Sequence, residues 1–353
     1  MRGFRLREAT IQEINSWDSL VEKNPDRGQW TQGSAFAEWK SRYKLVPRYF
    51  IFDGATSVAA MALEHRSPLG RMWYFPLGPG ADIADYADLA DAIRRACKDR
   101  YRDVFAVRVE PFIENTPEHL AALQAAGFIA DVPMQMNNST VFVDLTRTEE
   151  EIFAGFHKNL RNHIRFAQKN DYRVEKAEPN EQTYETLYEL MKTINGGKGA
   201  SRLGSYEGYR SMWSALVSRG QGHFWFGYDG AHEGPQAGSF MIHYGRWAIA
   251  KDGGSVPDRA IRGGAHLIRW TAMQHLKSLG AEVYDAYVTP PKALADDTTH
   301  PHHGIGKFKR LFGEIVDHVP SHDLVLQPKK LETFNRIVLP ITWRVRRQPW
   351  GIW

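Results

Sequence analysis

The sequence GIGKFKRLFG, at residues 304–313, closes the most regular part of the chain. It contains three glycines, three basic residues and two phenylalanines. Before it, residues 282–288 show the pattern of a buried strand, and a helical pattern that opens at the glycine pair 263–264 precedes that strand. Three further strand patterns come earlier and are separated by turn residues, at 222–228, 236–243 and 247–251. The order of elements is therefore three strands, a helix and a strand.

The first half of the chain repeats this order. Strand, helix and strand patterns follow one another at residues 48–53, 57–65, 71–77, 83–100 and 104–110, and a further helix and strand are predicted at 117–126 and 139–145. The halves share the order of their elements without residue identity, so the repeat is one of architecture. This order is typical of GNAT-type acyltransferases. We therefore predict an α/β (α+β) chain of two tandem GNAT-like domains with mixed, largely antiparallel sheets.

Length and composition agree with a two-domain globular chain. The 353 residues are 42% hydrophobic, and the formal net charge of +4 with a pI near 9.0 suits a phosphate-rich partner. Cys97 is the single cysteine, which excludes an internal disulfide, and its apolar neighbours predict a buried side chain. No signal peptide and no membrane-spanning pattern is predicted, so a cytoplasmic location is expected. The C-terminal sequence RVRRQPWGIW predicts either packing on the first domain or a peripheral contact with the inner membrane face.

Residues 148–170 are predicted to form one long amphipathic helix. One face is apolar, and the other carries the basic residues Lys158, Arg161, Arg165 and Lys169. Helices are also predicted at 181–194 and 206–218. Since no heptad pattern occurs, no coiled-coil arm is expected.

Several of these motifs together resemble the Fem (FemABX) family of non-ribosomal peptidyltransferases. The chain contains QGSAFAEWK at residues 32–40, LGPG at 77–80, KNLRNHIRFAQKNDYRV at 158–174, a Tyr–Asp pair at 284–285 and FKRLFG at 308–313. The motifs follow the order of the family and extend over nearly the whole chain. The basic helix and the FKRLFG sequence are the most specific of them, and the lack of an arm is similar to the short members.

The resemblance implies an aminoacyltransferase with two domains. Such enzymes move an amino acid from aminoacyl-tRNA to an amino group on the stem peptide of a UDP-linked or lipid-linked peptidoglycan precursor. Residues 1–147 with 318–353 would bind the precursor, and residues 148–317 would carry the transfer and face the tRNA. No cofactor and no metal is implied.

The resemblance also implies roles for individual residues. Lys40 and Arg202 would hold the diphosphate of the precursor, and Tyr206, four residues after Arg202, would lie one helical turn away and bond to the same ligand. Lys309 would stabilise the charge that develops on the ester carbonyl or on the departing ribose oxygen, beside Phe308 in the acyl pocket. Glu110 occupies a position where the family often has aspartate and is the candidate base.

The basic residues of the predicted long helix, Lys158, Arg161, Arg165 and Lys169, would contact the tRNA backbone. Two other motifs bear on the substrate. The sequence KDGGS, at residues 251–255, departs from the family, which usually has an aromatic residue near its first position, so the acceptor contact is expected to differ. The HPHHG sequence at residues 300–304 contains three histidines without a cysteine partner, and we interpret it as a polar loop.

Three alternatives stay open at this point. Residues 260–265, AIRGGA, have the spacing of the loop that binds the pyrophosphate of acyl-CoA, although alanine replaces the usual arginine or glutamine. The chain would then be an acyl-CoA-dependent N-acyltransferase. A second alternative keeps the aminoacyl transfer and changes the acceptor to a small-molecule amine. A third is a non-catalytic protein that binds RNA or wall precursor.

Overall fold

The computed structural model describes residues 3–131, 138–194, 203–230, 232–257 and 260–341. These residues form two compact units. The first contains the described residues up to Asn138 and those from His318 onward, and the second contains Ser139–Asp317.

The first unit is built on a seven-stranded sheet in the order β1-β2-β3-β4-β5-β14-β6. Neighbouring strands are antiparallel except β4 and β5, which are parallel and are joined through helix α4. The strands are β1 (Arg5–Glu8), β2 (Val46–Asp53), β3 (Val58–Ser67), β4 (Gly70–Phe75), β5 (Val104–Val109), β6 (Ile129–Ala130) and β14 (His322–Val325). The helices are α1 (Ile11–Asn15), α2 (Trp17–Val21), α3 (Ser34–Ser41), α4 (Tyr86–Asp99), α5 (Pro117–Ala125) and α12 (Pro328–Thr333), which continues as a π-helix (Phe334–Val338).

The second unit repeats the same pairing pattern, in the order β8-β9-β10-β11-β12-β7-β13. Here β11 and β12 are the parallel pair, and α10 connects them. The strands are β7 (Ser139–Asp144), β8 (Arg173–Ala177), β9 (Gly222–Tyr228), β10 (Ala237–Tyr244), β11 (Trp247–Ser255), β12 (Val283–Asp285) and β13 (Ile315–Asp317). The helices are α6 (Glu149–Gly155), α7 (Lys158–Lys169), α8 (Glu181–Ile194), α9 (Tyr206–Val217), α10 (Gly264–Ser278) and α11 (His303–Lys309). Two mixed sheets of one topology confirm the predicted fold class.

Each sheet has its own apolar core. In the first unit, aromatic residues of β2 and β4 such as Phe50 and Trp73 pack with the buried face of α4. In the second unit, Phe156, Trp270 and Phe312 meet edge to face beneath β7 and β12. Cys97 is buried in the first core, as predicted, and burial raises the pKa of its thiol to about 12.

Strand β7 marks a difference from the predicted domain boundary. The prediction placed residues 139–147 at the end of the first domain. In the structure, β7 pairs with β12 and β13 and occupies the sixth position of the second sheet. The corresponding sixth position of the first sheet is filled by β14, which follows the whole second unit in the chain. A strand pattern alone cannot show which of two similar sheets a strand joins.

The predicted single helix at 148–170 was wrong, because the structure has two helices there. Helix α6 ends at Gly155, and Phe156 adopts an extended conformation before α7 begins at Lys158. The imidazole of His157 caps α7 by accepting a hydrogen bond from the Asn159 amide at 3.2 Å. The apolar spacing continues across the break because Phe156 is buried in the same core as the two helices.

The GIGKFKRLFG sequence, residues 304–313, is helical over its first half. Residues from His303 to Lys309 form α11 although they include two glycines. A Cβ on Gly306 would lie 2.4 Å from the Pro290 ring, so this residue must be glycine for α11 to pack against the chain that follows β12. In the described part of the chain, no helix is both long and apolar enough to span a bilayer. The longest, α10, has 15 residues.

Candidate functional site

Strands β11 and β12 diverge and leave a crevice in the second sheet. They pair only over Trp247–Ile249 and Val283–Asp285, whereas β11 continues to Ser255. The register of β11 with β10 also slips at this point, since Phe240 faces Asp252 and Met241 faces Ala250. Lys251 is thus the extra residue of a β-bulge, a device that often re-aims a side chain next to a functional site.

Lys309 is the most unusual residue near this crevice. The last residue of α11, it is only 5% exposed, and its ammonium group donates to the Val288 carbonyl oxygen at 2.9 Å. Within the described part of the chain, the Lys309 ammonium donates to no other acceptor. Burial lowers its pKa to about 7, and the positive charges of Arg269 and Lys251 act in the same direction. Near neutral pH, this lysine can therefore either carry a charge or accept a proton.

Two buried carboxylates accompany this lysine. Asp285, 2% exposed at the end of β12, accepts a hydrogen bond from the Thr140 hydroxyl and one from the Tyr287 amide at 2.7 Å. Burial raises the pKa of Asp285 despite those bonds. Asp252, 8% exposed, accepts a hydrogen bond from the indole of Trp213 at 2.9 Å. Each carboxylate therefore accepts at least one hydrogen bond from a neutral donor.

Lys251 and Tyr287 line the same cluster. The Lys251 ammonium lies 3.2 Å from the Asp252 carboxylate and 5.0 Å from the centre of the Tyr287 ring. Burial acts to lower the pKa of Lys251, but the Asp252 charge and the nearby phenols raise it overall, so this lysine stays charged. Tyr287 has a φ of 64°, a left-handed conformation that is costly for a bulky residue and is often found at functional sites.

Arg269 adds a third cation from α10. Its guanidinium donates to the Ser239 hydroxyl and contacts the Met241 sulfur at 3.1 Å. Among the described residues, no carboxylate lies within ion-pair distance of it. A Cβ on Gly253 would lie 2.9 Å from this guanidinium. The glycine therefore lets β11 pass directly over Arg269.

The residue next to Lys309 shapes an apolar wall. Phe308 stacks on the imidazole of His266, with ring centres 4.3 Å apart, and packs against Phe312 at 5.8 Å. Its place between α10 and α11 agrees with a role in enclosing an acyl group, which stays a prediction.

Glu110 lies in the first unit and is a buried residue. It follows β5, is 1% exposed, and its carboxylate accepts a hydrogen bond from the Tyr74 hydroxyl. Its backbone amide donates to the Gly78 carbonyl oxygen at 3.0 Å, which ties it to the LGPG sequence. These contacts hold Glu110 in one position and do not test its role as a base.

Lys40 extends from α3 over aromatic rings of the same helix. Its ammonium lies 4.6 Å from the centre of the Trp39 ring and 5.3 Å from that of Phe36, so the side chain is partly ordered by cation–π contacts.

The QGSAFAEWK sequence also has a structural role, through its first residue, Gln32. The Gln32 amide bonds to both backbone groups of Met61 and to the Pro76 carbonyl, at a level where β3 does not pair with β4.

Tyr206 is the first residue of α9, and this corrects the expected helical turn. Residues 203–205 are not helical, so the spacing of four from Arg202 does not place the two on one helix face; Arg202 itself lies outside the described residues. The Tyr206 hydroxyl donates to the Glu181 carboxylate at 2.5 Å, and Arg210 pairs with that carboxylate at 2.8 Å. Tyr206 lines an open cavity of about 690 Å³ together with Glu185, Glu189 and Glu233, among other residues. An acidic lining does not favour a diphosphate by itself.

The four predicted tRNA-contacting residues of α7 are not equivalent. Lys158 and Lys169 are exposed. Arg161 instead donates to the carbonyl oxygens of Ala154 and Phe156, at 2.7 and 2.5 Å, and so caps the end of α6. Arg165 is exposed and lies 5.2 Å from the centre of the Phe153 ring. Arg161 thus has a structural task that the charge pattern did not reveal.

The glycine pair that resembles a CoA loop is needed for packing within the chain. Gly263 has a φ of 87°, and a Cβ there would lie 2.3 Å from the His163 backbone oxygen of α7. A Cβ on Gly264 would lie 2.3 Å from the Tyr172 ring. Since α7 and Tyr172 already occupy the space that the glycines provide, the spacing is not evidence for a bound pyrophosphate.

The described residues contain no group of three or more histidine, cysteine, aspartate or glutamate side chains arranged to hold a metal ion. The histidines of the HPHHG sequence lie at the start of α11, where His300 and His302 approach each other with ring centres 5.6 Å apart.

The sequence interpretation missed part of the charged cluster. Arg269 and Asp252 were not considered, and Lys251 was noted only as a departure from a family pattern. A signal for Arg269 was present, because three of its neighbours one turn away in α10 are apolar: Ala265, Ala272 and Met273. A charged residue within an apolar stripe needs a buried polar partner.

Comparisons with known proteins identify a recognised type of domain within the second unit. Residues 154–292, less than half of the chain, match the model of the acetyltransferase (GNAT) domain. This match and the fold support a transferase of the acyltransferase type. No curated protein sequence matches the chain.

Solved structures match over nearly the whole length. The crystal structure of FemX aligns with a TM-score of 0.78 and 17% identity, over 94% of this chain and 99% of that one. The C-terminal domain of a putative lysylphosphatidylglycerol synthetase from Agrobacterium fabrum aligns with a TM-score of 0.53 and 16% identity, covering 92% and 97%. L-PGS from Bacillus licheniformis gives 0.53 and 11%, covering 94% and 98%. At these identities the likeness establishes the fold.

Proposed function

We propose that the protein is an aminoacyltransferase that moves an amino acid from aminoacyl-tRNA to an amino group on a peptidoglycan precursor. The observation that carries this proposal is the buried ammonium of Lys309 beside the crevice between β11 and β12. The Fem-type motifs and the likeness of fold to FemX support it.

The reaction is the aminolysis of an ester. The acceptor amine attacks the ester carbonyl carbon, a C–N bond forms, and the C–O bond to the terminal ribose of the tRNA breaks. The nitrogen loses a proton and the ribose oxygen gains one. The tetrahedral intermediate carries a negative oxygen, and a buried cation next to it lowers the barrier more than an exposed one would. Lys309 is assigned this role, with Phe308 enclosing the acyl group.

The first unit is assigned to the precursor. Lys40 of the first unit would hold its diphosphate. The resemblance gives the same role to Arg202, which lies outside the described residues, and to Tyr206, both in the sequence range of the second unit. In the second unit, Lys158, Arg165 and Lys169 are exposed and free to contact the tRNA backbone, while Arg161 would contribute mainly by holding α6 and α7 together. Glu110 is the candidate base for the acceptor amine. The expected site of action is the cytoplasmic side of the membrane, with a soluble or lipid-linked acceptor.

One alternative has an observation in its favour. The match to the acetyltransferase (GNAT) domain would also suit an acyl-CoA donor. The glycine pair 263–264 adds no support for this donor, because the packing of His163 and Tyr172 already requires both glycines.

A transfer assay decides between these donors. Purified protein is incubated with tRNA charged with labelled amino acids and with a mixed extract of peptidoglycan precursors, with and without ribonuclease, and with acetyl-CoA as the competing donor. Transfer that ribonuclease abolishes is the expected result. Transfer that survives ribonuclease and requires acyl-CoA would replace the proposed donor.

Two variants test the division of roles. Lys309→Ala is expected to lower turnover more than acceptor binding, and Lys40→Ala is expected to do the reverse. Exposed Lys307, two residues from Lys309 on the same helix, offers a matched control in Lys307→Ala. Equal loss of both parameters in the Lys309 and Lys40 variants would contradict the division.

A further inference from the structure

The charged cluster at the crevice has more positive than negative groups. Its described members are the cations Lys251, Arg269 and Lys309 and the carboxylates Asp252 and Asp285. When all five groups are ionised, one positive charge is in excess. Four of these five residues are buried or nearly so, and Arg269 is half-buried without a carboxylate in reach. Charge buried without compensation is costly, so a cluster of this kind is incomplete without a bound anion.

The Lys309 ammonium has donors left for that anion. The Lys309 ammonium has three N–H donors, of which the Val288 carbonyl oxygen accepts one. The bulge at Lys251 lies just beyond the last residue of β11 that pairs with β12, and in the described part of the chain no strand pairs with β11 on that side after Ile249. The oxyanion of acyl transfer exists only during the reaction, and so it cannot compensate the charge of the resting protein.

We propose that the crevice between β11 and β12 binds a carboxylate of the substrate in its ground state, and that Lys251 is the residue that selects it. This inference rests on the proposed function for the identity of the substrate, but not for the chemistry of the site. A carboxylate carries the single charge that the cluster lacks, and its two oxygens suit two ammonium donors. Lys251 is positioned for this by its ion pair with Asp252, which Trp213 anchors in turn.

The carboxylate has two possible sources. It belongs either to the transferred residue, which would then be acidic, or to the acceptor, whose amine would have a carboxylate on the same carbon. A transfer assay with matched pairs separates these sources. One arm compares aspartyl-tRNA and glutamyl-tRNA with asparaginyl-tRNA and glutaminyl-tRNA, and the other compares an acceptor carboxylate with its primary amide.

Lys251→Met and Lys251→Arg are the test variants, and Lys307→Met is the control. In one of the two arms, the unmodified protein is expected to transfer with the carboxylate substrate about 10- to 100-fold faster than with its amide. This ratio is the range of a charge-assisted hydrogen bond. Lys251→Met should reduce that preference to about twofold or less, Lys251→Arg should keep part of it, and Lys307→Met should leave it unchanged.

A binding measurement makes the test independent of transfer. NMR of protein with ¹³C-labelled lysine follows Lys251 and Lys309 while acetate or acetamide is added at constant ionic strength. Acetate is expected to shift both signals, acetamide to shift neither, and Lys251→Met to weaken the acetate effect on Lys309. If no aminoacyl-tRNA serves as donor but acetate still acts in this way, the proposed function fails and the carboxylate site stands. Transfer without carboxylate preference, together with no acetate effect, overturns the site and leaves the proposed function intact.

Discussion

Replacing Lys309 by methionine is expected to make the second unit more stable while removing its activity. The side chain is 95% enclosed, and its pKa is lowered from 10.5 to about 7, mainly by burial. Such a lowering means that burying the charged lysine reduces the free energy of unfolding by about 5 kcal/mol. Methionine has a similar length, carries no charge, and forgoes the bond to Val288, a loss of about 1 kcal/mol. A net gain of roughly 3 to 4 kcal/mol below pH 7 is therefore expected.

The gain should depend on pH in a defined way. Below pH 7, Lys309 is protonated in both the folded and the unfolded protein, and the cost of the buried charge is fully present. Between about pH 7 and 10.5 the unfolded chain binds a proton that the folded chain does not, so the unmodified protein becomes more stable as the pH rises. The advantage of Lys309→Met should then shrink by about 1.4 kcal/mol per pH unit and vanish between about pH 9 and pH 10.

Hydrogen exchange is the suitable assay, because a chain of two units need not unfold in one step. The protection of the β12 amides, measured at pH 6 and pH 9, reports the second unit alone. Lys307→Met, on the exposed side of α11, should show no stabilisation at either pH. Equal protection in Lys309→Met and the unmodified protein at pH 6, or a gain that stays constant up to pH 9, would refute the reasoning.

Three further predictions concern the structure around the site. Gln32→Met should cost about 2 to 4 kcal/mol, and the Met61 amide should exchange at least about 30-fold faster in hydrogen-exchange experiments, because two buried backbone groups of Met61 lose their partner; unchanged exchange would contradict this. Arg161→Met should lower the unfolding midpoint through lost bonds to the end of α6, whereas Lys169→Met should leave the midpoint unchanged and reduce the salt dependence of tRNA binding by about one ion. Burial lowers the pKa of His223 to about 4, so stability measured by urea unfolding should fall as pH drops from 6.5 to 4, and the fall should be smaller in His223→Gln.

The regular elements could be predicted because their patterns depend on local chemistry. The strands β9 to β11 and helices α8 to α10 have clear apolar spacing and end at glycine or polar residues, and the structure has them within a few residues of the prediction. Short strands such as β8 were missed, because its residues are partly exposed and its sequence, RVEKA, is polar. Polar strands at a sheet edge have no apolar pattern to detect.

The site was only partly predictable for a different reason. Lys309 could be named from a motif, but its burial and its neighbours depend on how β11, β12, α10 and α11 converge in space. The bulge at Lys251 arises from a slip in pairing between two strands, and no local sequence rule specifies such a slip. Gln32 shows that a motif can also indicate the wrong role for a residue. It belongs to a motif that indicates ligand binding, yet its side chain is bonded to β3.

Strand β14 has a consequence for the order in which the chain acquires its structure during synthesis. All the strands of the second sheet lie between residues 139 and 317, so the ribosome releases them as one uninterrupted stretch. The first sheet begins at the N-terminus but obtains its sixth strand, His322–Val325, only after that stretch has been made. The N-terminal unit is therefore the last to be completed, and β5 must wait with an open edge while nearly two hundred residues emerge after Asn138. A nascent chain stalled before residue 318 should show a protease-sensitive first unit beside a protected second one.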